Sequence, residues 1–261
     1  MAISAQTGET TRLAGLDIST ASRDRLARLM VADCLAARRA ETPRPRLVFD
    51  VNGHALSLRE QDPAYRTALG SADVVHADGG FLVTLSRFLP GPTIAERSAT
   101  TDLVHDLAAH AAANGLRLFL LGATETVNAE AARRLSLTHP GLVIAGRRNG
   151  YFAPEDETSI VEAIRTARAD LVLVGLGKPK EQIFALHLRD RVGCGWIVTC
   201  GGCLDFLAGT YRRAPLWMQR ANLEWLHRMA TGPRYLVGRY LRTIPHALLV
   251  VLRGTPRSRQ G

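Results

Sequence analysis

Short unbroken apolar runs alternate with apolar residues at helical spacing along this chain. The runs are Arg46-Leu-Val-Phe-Asp-Val51, Val74–Ala77, Leu116–Leu121, Leu142–Ala145, Asp170–Leu176 and Trp196–Cys200. Each has strand length and is bounded by turn residues, so six strands are predicted. Between them, Ser22–Arg39 places Leu26, Leu29, Met30, Cys34 and Leu35 on one helical face, with Ser22 as a cap, until Pro43 and Pro45 end the pattern. Further helices are predicted over Leu58–Leu69, Phe81–Phe88, Thr100–Asn114, Val127–Leu137, Glu155–Arg168 and Glu181–Arg191. Pro63 suits a first turn, and Pro90, Gly91 and Pro92 stop the helix after Phe81. This rhythm predicts an α/β fold with a Rossmann-like, mainly parallel sheet and flanking helices. Residues 1 to about 15 are polar and expected to be loose. Pro215–Ala230 and Pro233–Leu252 read as two arginine-bearing helices with no further strand. The expected division is a catalytic domain over 1–209 and a helical appendage over 210–261.

In an open sheet of this kind ligands bind beyond the carboxyl ends of the strands. Asp78 stands at such an end, before Gly79-Gly80, where the backbone can turn tightly against a ligand. A carboxylate there can serve as a base, or it can cap the following helix. Gly122-Ala-Thr124-Glu-Thr126 joins a strand to a helix, so its amides could receive a diphosphate, or it is only a tight turn. It is neither a Walker loop nor a dinucleotide fingerprint, which weakens ATPase and NAD readings. Gly177-Lys178-Pro-Lys180-Glu181-Gln182 collects both lysines of the protein at one strand exit, a placement that favours substrate binding over solvation.

At 261 residues, 46% of them apolar and 22% charged, the chain can bury an ordinary core. Charge changes the picture more. Of 33 basic residues 31 are Arg, the net charge is +9, and from Phe206 onward ten Arg (212, 213, 220, 228, 234, 239, 242, 253, 257, 259) face one acid, Glu224. Such asymmetry points to an anionic partner: a phosphorylated substrate, an acidic membrane surface or a nucleic acid. The nucleic-acid reading is the alternative function, but aromatics do not interleave with the basic residues and Asp78 would gain no role. A purely scaffolding membrane protein would need neither Asp78 nor the glycine-rich exits. No apolar run approaches the roughly 20 residues of a membrane span, and no signal peptide is visible. Cys200-Gly-Gly-Cys203 has zinc-like spacing without a second pair, so Cys34, Cys194, Cys200 and Cys203 are expected to be free thiols in a reducing compartment.

The chain presents, in order, Asn52 at its strand end, Ala77-Asp78-Gly79, Glu96-Arg97 before Thr101-Asp-Leu103, and Leu121-Gly122. Gly177-Lys-Pro-Lys-Glu-Gln182, Gly201-Gly-Cys-Leu-Asp-Phe-Leu-Ala-Gly209, Arg213-Ala-Pro215, Trp217-Met-Gln219 and Leu223-Glu-Trp225 follow. This ordered set, over about residues 45 to 240, resembles the WecG/TagA/CpsF family of bacterial glycosyltransferases, glycosyltransferase family 26. Its His-Ala-Asp-Gly wording is closest to the glucuronosyltransferase members.

The resemblance implies transfer of a sugar from a UDP-sugar to a polyprenyl-diphosphate-linked saccharide, with inversion and with neither metal nor cofactor, in surface or exopolysaccharide biosynthesis. Glucuronic acid and N-acetylmannosamine-type sugars are both donors in the family, and Arg147 and Arg148 at a strand end suit an acidic sugar. It implies Asp78 as catalytic base, with Arg97 and Asn52 beside it. Substrate contacts are expected from Asp50, Gly79, Gly122, Thr124, Gly177, Lys178, Lys180, Glu181, Gln182, Gly201, Gly202 and Asp205. Arg212, Arg213, Arg220 and Arg228 are expected to close on a diphosphate as part of a lid, with Trp217, Leu223, Trp225, Leu226 and Leu236 facing core or bilayer. Two positions depart from the family: Asp50 stands where Thr is common, and the usual Pro-Lys-Gln-Glu reads Pro-Lys-Glu-Gln, leaving either Glu181 or Gln182 for the amide contact. The expected setting is peripheral, on the cytoplasmic face of the inner membrane, with no nucleic acid bound and a homo-oligomer possible.

Overall fold

The computed structural model describes residues 9–254 except Thr42, Pro90, Pro233 and Arg234. Expectations that fall on residues 1–8, Pro90, Pro233, Arg234, Arg257 and Arg259 lie outside the described residues. The strands are β1 (Thr10–Leu13), β2 (Leu16–Ser19), β3 (Arg46–Val51), β4 (Val74–Ala77), β5 (Arg117–Gly122), β6 (Val143–Arg148), β7 (Leu171–Gly175) and β8 (Trp196–Thr199). The helices are α1 (Arg23–Ala37), α2 (Gly53–Gln61), α3 (Pro63–Gly70), α4 (Gly80–Ser86), α5 (Thr100–Ala113) and α6 (Glu125–Thr138). Then come α7 (Glu157–Thr166), α8 (Lys180–Leu188), α9 (Cys203–Leu207), α10 (Leu216–Arg220), α11 (Glu224–Thr231) and α12 (Tyr235–Gly254).

All eight strands form one sheet in the order β1-β2-β4-β3-β8-β7-β5-β6, parallel throughout except for the β1–β2 hairpin. The six predicted strands are therefore present and parallel. Period-two alternation splits each apolar run between two faces. Leu47, Phe49 and Val51 of β3 point into one core with residues of α2, α3, α7 and α8, while Val48 joins the opposite core with α1, α5, α6 and α9. The result is a helix–sheet–helix sandwich. Among the described residues no helix is long and apolar enough to cross a membrane.

Three expectations are corrected. The start of the chain is not loose up to residue 15: β1 and β2 pair, burying Thr11, Leu13, Leu16 and Ile18. Their two-residue turn puts Ala14 and Gly15 at φ 51° and 74°, the geometry of a tight hairpin. Leu58–Leu69 is not one helix. Asp62, forced extended by the following Pro63, ends α2, and its side chain caps α3 through the Tyr65 amide at 3.0 Å. Pro215–Ala230 is likewise two helices, α10 and α11, divided at Asn222 with φ 59°. After α11, the long α12 lies against α2, with Ala247 and Val251 buried in the α2-side core.

Candidate active site

Because β4, β3, β8, β7 and β5 are parallel neighbours, their carboxyl ends share one edge. The chain leaves β3 toward β4 but leaves β5 in the opposite direction toward β6, the reversal that opens a crevice in such sheets. Asp78 sits at the β4 end, half-buried. It does not cap α4, which has no side-chain cap. One carboxylate oxygen instead accepts from the Thr100 amide at 3.0 Å, at the start of α5, where the helix dipole favours negative charge. The other accepts from Asn52 Nδ2 at 3.3 Å. Asn52 is divided between two tasks, since its Oδ1 also caps α2 by accepting the Ala55 amide at 3.1 Å. Burial pushes the Asp78 carboxyl up, but Lys178, the Thr100 amide, Arg97 and His76 outweigh it and hold it below the ordinary aspartate value. Gly79 lies close against Asn52: a Cβ there would come within 3.0 Å of Asn52 Cβ.

Behind this edge lies a buried polar cluster. Lys178 Nζ donates to Asp50 Oδ2 at 2.5 Å and stands 3.7 Å from Glu181 Oε1. One ammonium cannot satisfy two buried carboxylates equally. Asp50 takes it, while burial raises Glu181 to about 7 against the pull of Lys178. Glu181 Oε2 accepts the amides of Gly177 at 3.1 Å and Gly201 at 2.9 Å, so one carboxylate ties the β7 and β8 exits together. Gln182 donates to Glu181 and to Thr199, and its Oε1 has no hydrogen-bond partner among the described residues. Both Glu181 and Gln182 are fully buried, whereas Lys180 is exposed. Gly202 precedes α9.

The β5 exit is built differently. Gly122 has φ 144°, and a Cβ there would meet Gly175 O at 2.3 Å. Thr124 caps α6 by accepting the Val127 amide at 3.3 Å. Asn128, buried in α6, donates to the carbonyls of Leu120, Gly122 and Arg148 and so pins this end of the sheet. Gly122 lies four strands from Asp78, roughly 19 Å at about 4.8 Å per strand, so the two exits meet different parts of any ligand.

The C-terminal helices are bound to this edge by charge. Arg97 donates to Glu224 Oε2 at 2.7 Å, and Arg213 donates to Glu224 Oε1 at 2.8 Å. Arg213 also donates to Asp102 at 2.8 Å and to Thr101 at 3.0 Å, at the start of α5. Asn222 stacks on Gly80 so closely that a Cβ there would overlap it.

The sequence pattern of the Glycosyl transferase WecG/TagA/CpsF family matches residues 11–261. The chain belongs to this family of glycosyltransferases. It is 33% identical over 193 residues to the N-acetylglucosaminyldiphosphoundecaprenol N-acetyl-beta-D-mannosaminyltransferase of Bacillus spizizenii strain W23, covering 74% of this chain and 73% of that one. The protein of the same name from Bacillus subtilis strain 168 is 32% identical over 208 residues, 79% of each. A basic nucleic-acid-binding protein is not the reading these relatives favour.

In this glycosyltransferase the sequence-predicted residues form three groups. Asp78, Asn52, Gly79, Arg97 and Arg213 converge around the β4 and β3 ends. Asp50, Gly177, Lys178, Glu181, Gln182 and Gly201 form the buried cluster behind them, with Gly202 next along the chain. Arg228 lies beside the β8 exit, its guanidinium over the Phe206 ring at 5.2 Å, with Arg212 along the same cavity of about 390 Å³. Burial raises the Asp205 carboxyl despite Arg228 nearby. Arg220 is exposed, and Gly122 and Thr124 stand apart. Thr100, Thr199 and Asn128 were not singled out in the sequence: an isolated polar residue shows its role only once the strands it serves are adjacent. The four cysteines are free and buried.

Proposed function

We propose that this glycosyltransferase moves a sugar from a UDP-sugar to a polyprenyl-diphosphate-linked saccharide with inversion and without a metal, Asp78 serving as general base. The observation that carries the reading is the Asp78 carboxylate, held below the ordinary aspartate value by Lys178, the Thr100 amide and Arg97, hydrogen-bonded to Asn52 at a strand end, and half-buried. Asp78 takes the proton of the acceptor hydroxyl as its oxygen bonds to the anomeric carbon. The bond from that carbon to UDP breaks on the opposite face, and UDP leaves with the electron pair. Amides at the glycine-rich exits supply positive potential for the departing diphosphate, the task a cation performs elsewhere, while Arg97 and Arg213, whose charges are met by Glu224 and Asp102, offer hydrogen-bond donors at the β4 side.

N-acetylmannosamine is the sugar named for both relatives, and it is the donor sugar we assign here. Arg147 and Arg148, the candidates for an acidic sugar, form exposed ion pairs with Glu125 and Asp156, so the assignment of N-acetylmannosamine rests on the relatives' names. Membrane contact is assigned to the appendage. Val237, Leu241, Leu248 and Leu252 of α12 are exposed at a spacing that makes one apolar stripe, and Leu216 and Trp217 of α10 are exposed as well. Arg242 and Arg253 are exposed on one side of α12 beyond that stripe, which fits a peripheral protein on the cytoplasmic face, where nucleotide sugars occur. The test is UDP release from a panel of UDP-sugars with a lipid-diphosphate acceptor, with and without chelator. Asp78→Asn should retain thermal stabilisation by UDP while losing on the order of 10² or more in turnover. Near-normal turnover in that variant refutes the assignment.

A further inference from the structure

The start of α5 delivers the Thr100 amide and hydroxyl to Asp78 Oδ1, at 3.0 and 3.4 Å. No side chain of α5 caps that start, since its N-cap residue is Ala99. Arg213 steadies Thr101 and Asp102 from the C-terminal helices, but the peptide that presents the Thr100 amide follows from Ser98. Ser98 donates its amide to Ala77 O at 2.9 Å, and its carbonyl accepts from His76 Nδ1 at 3.0 Å. Both partners belong to β4, the strand that ends at Asp78. A carbonyl oxygen can only accept, so the ring proton is on Nδ1. His76 is buried, as is every residue of β4, and its Nε2 has no hydrogen-bond partner among the described residues. Burial holds the imidazole below its ordinary value against the pull of Asp50 and Asp78. An apolar side chain would avoid the cost of desolvating Nε2. What an imidazole offers here that an apolar residue does not is the bond to Ser98.

We propose that His76 is a positioning residue for the transfer reaction, whose Nδ1–H holds the Ser98 carbonyl so that the Thr100 amide meets the Asp78 carboxylate. The inference rests on the reading of Asp78 as general base. Without the bond from His76, Ser98 keeps only its amide contact to β4. The Ser98–Ala99 peptide can then rotate and carry the Thr100 amide away from Asp78. A carboxylate that loses a donor to its charged form binds its proton more tightly, and its oxygens are aimed less well at the acceptor hydroxyl. Lys178, Arg97, Asp50 and Cys203 are the other charged or titratable groups around His76 and Asp78, and substitutions at His76 leave all four in the chain.

The experiment compares His76→Asn, His76→Gln and His76→Leu in the full chain, following UDP release from a UDP-sugar and a lipid-diphosphate acceptor across acidic and neutral pH. The asparagine amide nitrogen stands as many bonds from Cα as Nδ1 does and can renew the bond to Ser98. Glutamine carries the same amide one bond further out, and leucine carries no donor. His76→Leu and His76→Gln should lower kcat about tenfold or more, the scale of one lost hydrogen bond, with KM for the UDP-sugar changed less than about twofold. The acidic limb of kcat/KM, which reports the base in the free enzyme, should move to higher pH in both. His76→Asn should keep kcat within about threefold of wild type and leave the limb in place. A side chain that only fills space would lower Tm in all three variants without moving the limb, and that result overturns the proposal. So does an asparagine variant as impaired as the glutamine one. Where a melting curve shows that His76→Leu does not fold, the comparison of asparagine with glutamine decides. Asp78→Asn is measured alongside. If it loses turnover while the His76 variants keep the wild-type limb, the role of His76 alone falls; if it keeps near-normal turnover, the general-base reading falls and the role of His76 with it.

Discussion

Glu224 is an acid that joins the C-terminal helices to the β4 side of the sheet edge, and replacing it with glutamine gives the sharpest test of that contact. Its side chain is 12% exposed, against 15% for Arg97 and 25% for Arg213, so the triad is largely desolvated. Removing one partner from a buried pair costs about 3–5 kcal/mol, because the other charge is left uncompensated. Here the cost divides unevenly. Arg213 keeps Asp102 at 2.8 Å, whereas Glu224 supplies the carboxylate for Arg97 at 2.7 Å. The loss therefore comes mainly from Arg97 and should be about 2–3 kcal/mol. At about 2–4 °C per kcal/mol for a chain of this size, Tm should fall by roughly 5–10 °C. Urea unfolding of Glu224→Gln, Arg97→Gln and the double variant completes a cycle, and the two should be non-additive by at least about 1 kcal/mol. Turnover should fall too, since Arg97 loses the contact that orients it toward the β4 end. A Glu224→Gln protein within about 0.5 kcal/mol of wild type, or strict additivity with Arg97→Gln, refutes the idea that this triad holds the C-terminal helices on the sheet edge.

Three further outcomes are expected. The Glu181 carboxyl is raised from 4.5 to about 7. Because the folded value is the higher, the stability it lends is full below about pH 4.5 and is lost as pH rises through about 7, up to ~3 kcal/mol. Glu181→Gln keeps an oxygen for the Gly177 and Gly201 amides and should remove that slope. An unchanged difference between pH 5 and pH 8 in urea unfolding would count against it. Gly122→Ala forces a Cβ to 2.3 Å from Gly175 O at φ 144° and should destabilise by about 3 kcal/mol or more, read as loss of soluble protein or a collapse in Tm. The double variant Leu241→Glu with Leu248→Glu places charge in the exposed stripe of α12. It should cut liposome co-sedimentation at both low and high salt while leaving Tm within a few degrees, and equal sedimentation would move the membrane contact elsewhere.

Much of the sheet is legible in the residue order because each central strand is buried on both faces and must read as an apolar run. Leu47–Val51 and Leu171–Val174 announce themselves in that way. Asp78 and the glycine-rich exits are legible for a different reason: glycines directly after an apolar run give the backbone the freedom to turn tightly and approach a ligand, which marks where the strand stops. The β1–β2 hairpin escaped detection because its strands have four residues each and its turn uses Ala14 at positive φ, where glycine is expected. The break at Asp62 follows from Pro63, but a proline also suits a first helical turn, and only the packing of α2 and α3 chooses between the two.

The site itself depends on contacts between residues far apart in the chain. Asn52 reaches Asp78 across 26 positions, Lys178 reaches Asp50 across 128, and Arg97 reaches Glu224 across 127. Local pattern restricts φ, ψ and burial within a few residues, so it can mark a strand end or a helix face. Which strand ends become neighbours is set by the crossover from β4 to β5 and by the order β4-β3-β8-β7-β5. That order brings one ammonium between two carboxylates and one carboxylate between two arginines, and the electrostatics of the site exist only once it has formed.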